Sequence, residues 1–336
     1  MNRNPDTVGR QATRPYHIPL KGWWQIVQRV AVKASRDNLS VVSAGCAFYA
    51  LFAIFPALTA SISLYGLTAD AATVERQFGI LQTVLPPQAY DIVIDQIRRI
   101  AETSGQTLGA SFGVSLAIAL WSANLGTQAM FSALNIAYGE PERRSILRFY
   151  LSAIGYTLIG ILGGVAMLFA IVYVPVLFDD AGHPEAYATL VRYLRWPVFV
   201  LFTLTLLALI YRFGPSRRNA KWQWLTVGSV FAALVWFLAS LGFSYYVSNV
   251  ANYDRMYGSL GAVIVLLFWL YISFYIVLLG AEINAQVELK TVHDTTSGSP
   301  RPMGQRGAFV ADNVAGEEPI KSAVDTDPAS AKPHAQ

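Results

Sequence analysis

The residue types that most often perform chemistry are few in this sequence and widely separated. The histidines and the single cysteine are His17, His183, His293, His334 and Cys46. Their spacing does not match a zinc site, and one cysteine cannot form an intrachain disulfide. The sequence also lacks a phosphate-binding loop of the G-x-x-x-x-G-K-[ST] type. We therefore expect no catalytic residue, no metal and no other cofactor.

Uncharged amides inside a long apolar segment are the more informative candidates. At about 100° per residue, Asn124, Gln128 and Asn135 fall on one helix face about 40° wide. Lipid cannot satisfy an amide, so this face must meet another helix or a water-filled cavity. Two interpretations stay open. The amides either hydrogen-bond to neighbouring helices, or they line a polar path for a translocated molecule or a lipid headgroup.

Long uncharged segments must position these amides. Hydrophobic residues make up 54% of the 336 residues, and charged residues make up only 14%. The charged residues lie outside six runs, 38–69, 103–139, 149–178, 196–211, 222–253 and 256–281. Five of these runs exceed the roughly 20 apolar residues that a transmembrane helix needs. The sequence thus predicts an all-α, polytopic membrane helix bundle and excludes a soluble enzyme, a disulfide scaffold and a disordered chain.

We predict six transmembrane helices within a domain of residues 37–290. They span about residues 41–66, 108–138, 149–177, 196–212, 222–246 and 258–281. Pro56 lies near the middle of the first span, where proline kinks a helix and serves either packing or a hinge.

Segments outside the spans have their own patterns. In residues 20–36, apolar residues recur at helical spacing beside a cationic face, which predicts an amphipathic helix in the headgroup layer. In residues 70–102, Pro86 and Pro87 precede a helical pattern with one apolar face, which predicts a periplasmic surface helix. Residues 1–19 and 291–336 are polar and without periodicity, so we predict that both are disordered.

The distribution of Lys and Arg predicts the orientation. Of the 25 Lys and Arg residues, 19 lie in residues 1–37, 140–148 and 212–221 and in the C-terminal tail. By the positive-inside rule these segments are cytoplasmic, which places both termini on the cytoplasmic side of the membrane. The cations flank the spans and do not form a basic face with interleaved aromatic residues, so we expect no nucleic-acid partner.

The last predicted span ends in a polar segment that contains Glu282, Asn284 and Gln286. Glu282 lies close to the cytoplasmic interface, where it could stay ionised. We expect it to pair with a basic loop residue, with Arg143, Arg144 and Arg217 as the candidates.

Two segments resemble a known family. They are DNLSVVSAGCAFYALFAIFPAL and NYDRMYGSLGAVIVLLFWLYISFYIVLLGAEINAQVE, which are similar to the first-span and closing segments of the YihY/virulence factor BrkB membrane proteins. The resemblance covers about residues 20–290 and implies a six-span inner-membrane protein. It puts weight on Asp37, Tyr49, Pro56, Tyr257, Gly258, Gly261, Gly280, Glu282 and Asn284.

The resemblance also carries expectations about function. Some members bear the name ribonuclease BN, and others are linked to serum resistance or proposed as exporters of envelope lipids. Metal-dependent RNA hydrolysis needs clustered ligands and a metal-free route needs a paired acid and base, and the sequence offers neither pattern. We therefore expect transport or exposure of an amphiphilic envelope lipid or similar molecule, with a non-catalytic envelope scaffold or interaction protein as the alternative. The expected partners are membrane lipids, and a second copy of the chain or another envelope protein.

Overall fold

The computed structural model describes residues 9–66, 105–168, 185–249 and 260–317. In these ranges the protein has eight α-helices, one 3-10 turn at Pro15–His17 and no β-strand. The helices are α1 (Leu20–Arg36), α2 (Leu39–Gly66), α3 (Gly105–Tyr138), α4 (Ile146–Leu168), α5 (Glu185–Phe213), α6 (Trp222–Asn249), α7 (Gly261–Glu288) and α8 (Phe309–Asp312). The predicted all-α class is confirmed.

Three of the described helices are long and apolar enough to cross a membrane. They are α4, α6 and α7, through the segments Ile146–Gly164, Trp222–Val247 and Val263–Glu288. The number rises to four if α1 and the first part of α2 form one broken span, since the two are bent by 64°. The membrane helix bundle is therefore confirmed, whereas the count of six transmembrane helices stays a prediction.

The bend between α1 and α2 occurs at two polar residues. The amide of Asp37 still bonds to the Lys33 carbonyl, which closes α1, and the amide of Val41 bonds to Asn38, which opens α2. Asn38 has a φ of 50°, a left-handed conformation that asparagine tolerates better than most residues. The chain therefore turns without a long loop, and α1 packs its buried stripe of Gly22, Ile26, Val30 and Ala34 against the bundle.

Small residues allow α5, α6 and α7 to approach closely. A Cβ on Gly228 of α6 would collide with the carbonyl oxygen of Gly280 on α7. A Cβ on Gly280 would collide with the hydroxyl of Tyr211 on α5, which donates to the Val277 carbonyl at 2.7 Å. Glycine at both positions is thus a requirement of helix contact, as is usual between membrane helices.

The described parts of the terminal segments are folded, in contrast to the predicted disorder. Residues 9–19 and 291–317 pack on each other. The hydroxyl of Thr291 donates to the Ala12 carbonyl at 2.6 Å, and the Val292 amide donates to the Arg10 carbonyl at 2.9 Å. The guanidinium of Arg306 donates to three backbone carbonyls of the same region. Order here rests on long-range hydrogen bonds, which leave no hydrophobic periodicity in the sequence.

Several predicted features lie outside the described residues. They are the surface helix in residues 70–102 and the disorder of residues 1–8 and 318–336. Helix α1 has the bounds predicted for the amphipathic helix, and its position in the headgroup layer stays a prediction.

Candidate functional site

Charged and polar side chains lie buried or half-buried at the end of the bundle where α1, α3 and α7 terminate. We call this group the buried polar cluster. Its members are Lys33, Asp37, Asn135, Tyr138, Glu140, Arg217, Glu282, Asn284 and Glu288. The cluster joins the ends of three helices to the loop that follows α5.

Glu282 is fully buried, with 0% of its side chain exposed. Its partner is Lys33 of α1, whose Nζ lies 3.4 Å from Glu282 Oε1. The same ammonium group donates to Asp37 and to the Ile136 carbonyl at the end of α3. Among the described residues, neither carboxylate oxygen of Glu282 has a hydrogen-bond donor. The prediction that Arg143, Arg144 or Arg217 pairs with Glu282 is therefore wrong. Helix α1 packs beside α7 and brings Lys33 to Glu282 instead.

Arg217, in the loop after α5, pairs with Glu288, a second carboxylate of α7. Both side chains of the Arg217–Glu288 pair are 0% exposed, and two guanidinium nitrogens donate to the two carboxylate oxygens at 2.8 and 3.1 Å. Glu288 also accepts from Thr295, and the guanidinium carbon lies 4.1 Å from the centroid of the Tyr138 ring. Burial alone would lower the pKa of Arg217, but the neighbouring Glu288 raises it above its ordinary value. The two side chains form a bidentate buried ion pair, and sequence reasoning missed Glu288.

Asn135 holds two loops together. Its Nδ2 donates to Glu142 at 2.9 Å, and its Oδ1 accepts from the Ser216 amide at 2.7 Å. Arg144 donates twice to the same Glu142 carboxylate. Burial raises the pKa of Glu142, but the hydrogen bonds from Arg144 and Asn135 outweigh it and lower the pKa to about 2. Asn135 is thus a structural residue at the end of the bundle.

The other two amides of α3 lie in a different environment. Asn124 is only 8% exposed, yet no donor among the described residues reaches its Oδ1. The buried Nε2 of Gln128 likewise has no acceptor there. The predicted polar face therefore divides into one satisfied residue, Asn135, and two residues that each have a polar atom without a partner in the described parts of the chain.

An apolar groove of about 820 Å³ runs between α1, the start of α2, α6 and α7. Its walls are formed by Trp23, Val27 and Ala31 of α1 and by residues of the facing helices, Val227, Phe231, Tyr275, Leu279 and Ile283. Ser35, Asn38 and Ser40 add polar groups at the α1–α2 bend. Sequence reasoning missed this groove, because it is formed by helices that are far apart in the chain.

The other described positions that the family resemblance emphasises lie on α2 and α7. Asn284 accepts the amide of Gly228 at 2.7 Å and so ties α7 to α6. Tyr49 is 37% exposed on α2, Pro56 is half-buried inside α2, and Gly261 begins α7. Tyr257 and Gly258 lie outside the described residues. The parts of the chain that the structure describes hold no group of three His, Cys, Asp or Glu side chains that could bind a metal ion.

The sequence is similar to proteins of several bacteria. A Bacillus subtilis protein called putative ribonuclease-like protein YfkH is 31% identical over 255 residues, 72% of this chain and 88% of that protein. A UPF0761 membrane protein of Pseudoalteromonas translucida is 24% identical over 283 residues, 82% of this chain and 88% of that protein. A UPF0761 membrane protein of Vibrio vulnificus is 27% identical over 266 residues, which is 77% of this chain and 81% of that protein. No solved structure is significantly similar to the chain.

The family profile described as virulence factor BrkB matches residues 30–304, which include the buried polar cluster and most of the residues that line the groove. The relatives named as membrane proteins and the apolar helices agree that the chain is a membrane protein. The chain therefore belongs to the virulence factor BrkB family of membrane proteins.

Proposed function

We propose that this protein transports or exposes an amphiphilic envelope lipid or a similar molecule in the inner membrane. The observation that carries the proposal is the apolar groove of about 820 Å³ between α1, α2, α6 and α7. Ligand sites commonly measure about 300–1,000 Å³ and are mostly apolar with a few polar groups. The groove has this composition, since aliphatic and aromatic side chains form its walls and Ser35, Asn38 and Ser40 supply polar atoms.

The distribution of polar groups favours an amphiphile over a purely apolar ligand. The polar residues of the groove are close together in sequence at the α1–α2 bend, next to Asp37 of the buried polar cluster. An acyl chain would lie between α1 and α7, and its headgroup would lie at the bend.

Asn124 and Gln128 support the movement of a polar group through the bundle. The Oδ1 of Asn124 and the Nε2 of Gln128 are buried without a partner among the described residues, which costs free energy, and a polar group that passes through the bundle would supply the missing partners. They are uncharged, so they could solvate a headgroup without holding an ion.

We also propose the inner membrane as the location, with both termini cytoplasmic. The bias of Lys and Arg supports this orientation. The contacts between residues 9–19 and 291–317 support a common side for the two terminal segments.

The test is mass spectrometry of lipids retained by the detergent-purified protein, compared with the bulk membrane extract. We expect selective enrichment of one envelope lipid in the wild type. Ala31→Trp places a large side chain in the groove from an exposed position, and we expect it to abolish the enrichment.

Val32→Trp is the matched control, because Val32 is 52% exposed on the same helix and does not line the groove. It should retain the enriched lipid. Retained lipid that mirrors the bulk membrane in the wild type would contradict transport and favour the alternative, a non-catalytic envelope scaffold.

A further inference from the structure

Three cationic side chains from distant parts of the chain converge beside α1. They are Arg29 of α1, Lys290 directly after α7, and Arg10 of the folded N-terminal segment. We call them the cationic cluster. At about 100° per residue, Arg29 lies on the opposite side of the buried stripe of α1 from Val27 and Ala31, so the cluster is separate from the groove.

Lys290 is the buried centre of the cationic cluster. The residue is only 4% exposed, and its Nζ donates to the Oε1 of Gln25 on α1. Burial, together with the positive charges of Arg29 and Arg10, lowers the pKa of Lys290 to about 8. Gln25 lies one turn before Arg29 on α1, and the Arg10 carbonyl accepts from the amide of Val292, two residues after Lys290. Both arginines thus belong to segments that contact the Lys290 region.

The cluster has more positive than negative charge. Arg10 pairs with Glu317 at 2.8 Å, in an exposed position. The Nε and Nη2 atoms of Arg29 are buried, and no acceptor among the described residues lies within hydrogen-bond distance of them. Buried guanidinium donors are normally satisfied, because an unmade hydrogen bond to a charged group costs more free energy than one between neutral groups.

We propose that Arg29, Lys290 and Arg10 form a binding site for a phosphate group. A phosphate offers several anionic oxygens, which can accept from a guanidinium and from an ammonium group at the same time. It would supply the missing acceptors of Arg29 and reduce the repulsion on Lys290. The phosphate belongs either to the headgroup of an anionic lipid or to a soluble molecule. The inference does not rest on the proposed transport function, because it uses no residue of the groove.

The experiment uses the full chain and two probes. In detergent, the shift of the melting temperature with inorganic phosphate is compared with that of chloride at equal ionic strength. In nanodiscs, the retention of phosphatidylglycerol is compared with that of phosphatidylcholine by native mass spectrometry. We expect Arg29→Gln to weaken binding of the effective probe by at least about tenfold, the loss of one charge-assisted hydrogen bond.

Arg36→Gln is the control, because it removes an exposed cation from the same helix outside the cluster. Arg29→Gln should fold as well as the wild type, since it relieves repulsion. If it fails to accumulate, Lys290→Gln gives the same comparison. A response to inorganic phosphate identifies a soluble ligand, and a response to phosphatidylglycerol alone identifies a lipid headgroup. Equal binding by the wild type and the cluster variants, or an equal loss in Arg36→Gln, overturns the site.

Discussion

The last turn of α3 and its middle differ in how their buried amides are paired. At the end, Asn135 makes hydrogen bonds with both of its polar atoms, and Arg217 and Glu288 neutralise each other without contact with solvent. About three turns earlier on the same face of α3, Asn124 keeps an oxygen without a donor among the described residues. Satisfied polar groups specify a structure, whereas unsatisfied ones reduce its stability. For this face of α3, the comparison predicts that Asn135 stabilises the fold and that Asn124 and Gln128 contribute little to stability.

The largest effect is expected at the buried ion pair. Arg217→Met leaves Glu288 charged and without its partner in the interior, so the free energy of unfolding should fall by about 3–5 kcal/mol. Thermal unfolding of the purified protein measures this change in stability, with the loss of the monodisperse peak as the readout.

The double variant Arg217→Met with Glu288→Leu is its control, because it removes both charges together. Most of the stability should return. A single variant as stable as the wild type would show that the end of the bundle does not depend on this pair.

A smaller loss is expected at Asn135. Asn135→Ala deprives the Ser216 amide and the Glu142 carboxylate of a partner, which should cost about 1–3 kcal/mol of unfolding free energy. Ser132→Ala, in an exposed position one turn earlier, removes only a bond to its own helix and should change stability by less than about 0.5 kcal/mol. The same unfolding assay compares them, and equal losses would remove the distinction between the two positions.

The smallest effect on stability is expected in the middle of the bundle. Asn124→Leu combined with Gln128→Met replaces two amides, each with one buried atom that lacks a partner among the described residues, by apolar groups of similar size. Stability should therefore stay within about 0.5 kcal/mol or rise. The enrichment of the retained lipid should be lost. A loss of stability larger than that of Asn135→Ala would instead mean that these amides hold helices together, and the two regions would then have the same role.

Local patterns in the sequence predicted the helices, and long-range packing decided the partners. The uncharged run 222–253 became α6, Trp222–Asn249, and the amphipathic pattern of residues 20–36 became α1. The amide face of α3 was also predicted, because three side chains on one helix are related by its own period.

The partner of Glu282 could not be predicted in this way. Lys33 approaches it only because α1 turns by 64° at Asn38 and packs along α7. No periodicity in either segment encodes that contact. The same holds for the groove and for the folded segment 291–317, which depend on surfaces that meet only in three dimensions.

The contact between the terminal segments has a consequence for biosynthesis. Arg10 and Glu317 are separated by 307 residues, and the carbonyls of Arg10 and Ala12 receive their donors from Thr291 and Val292. Because the ribosome synthesises the chain from its N-terminus, residues 9–19 emerge long before these donors exist. A nascent chain halted anywhere before residue 291 would lack these donors, and its residues 9–19 would be open to proteases. Of the segments described here, the first to be made is thus among the last to reach its final contacts.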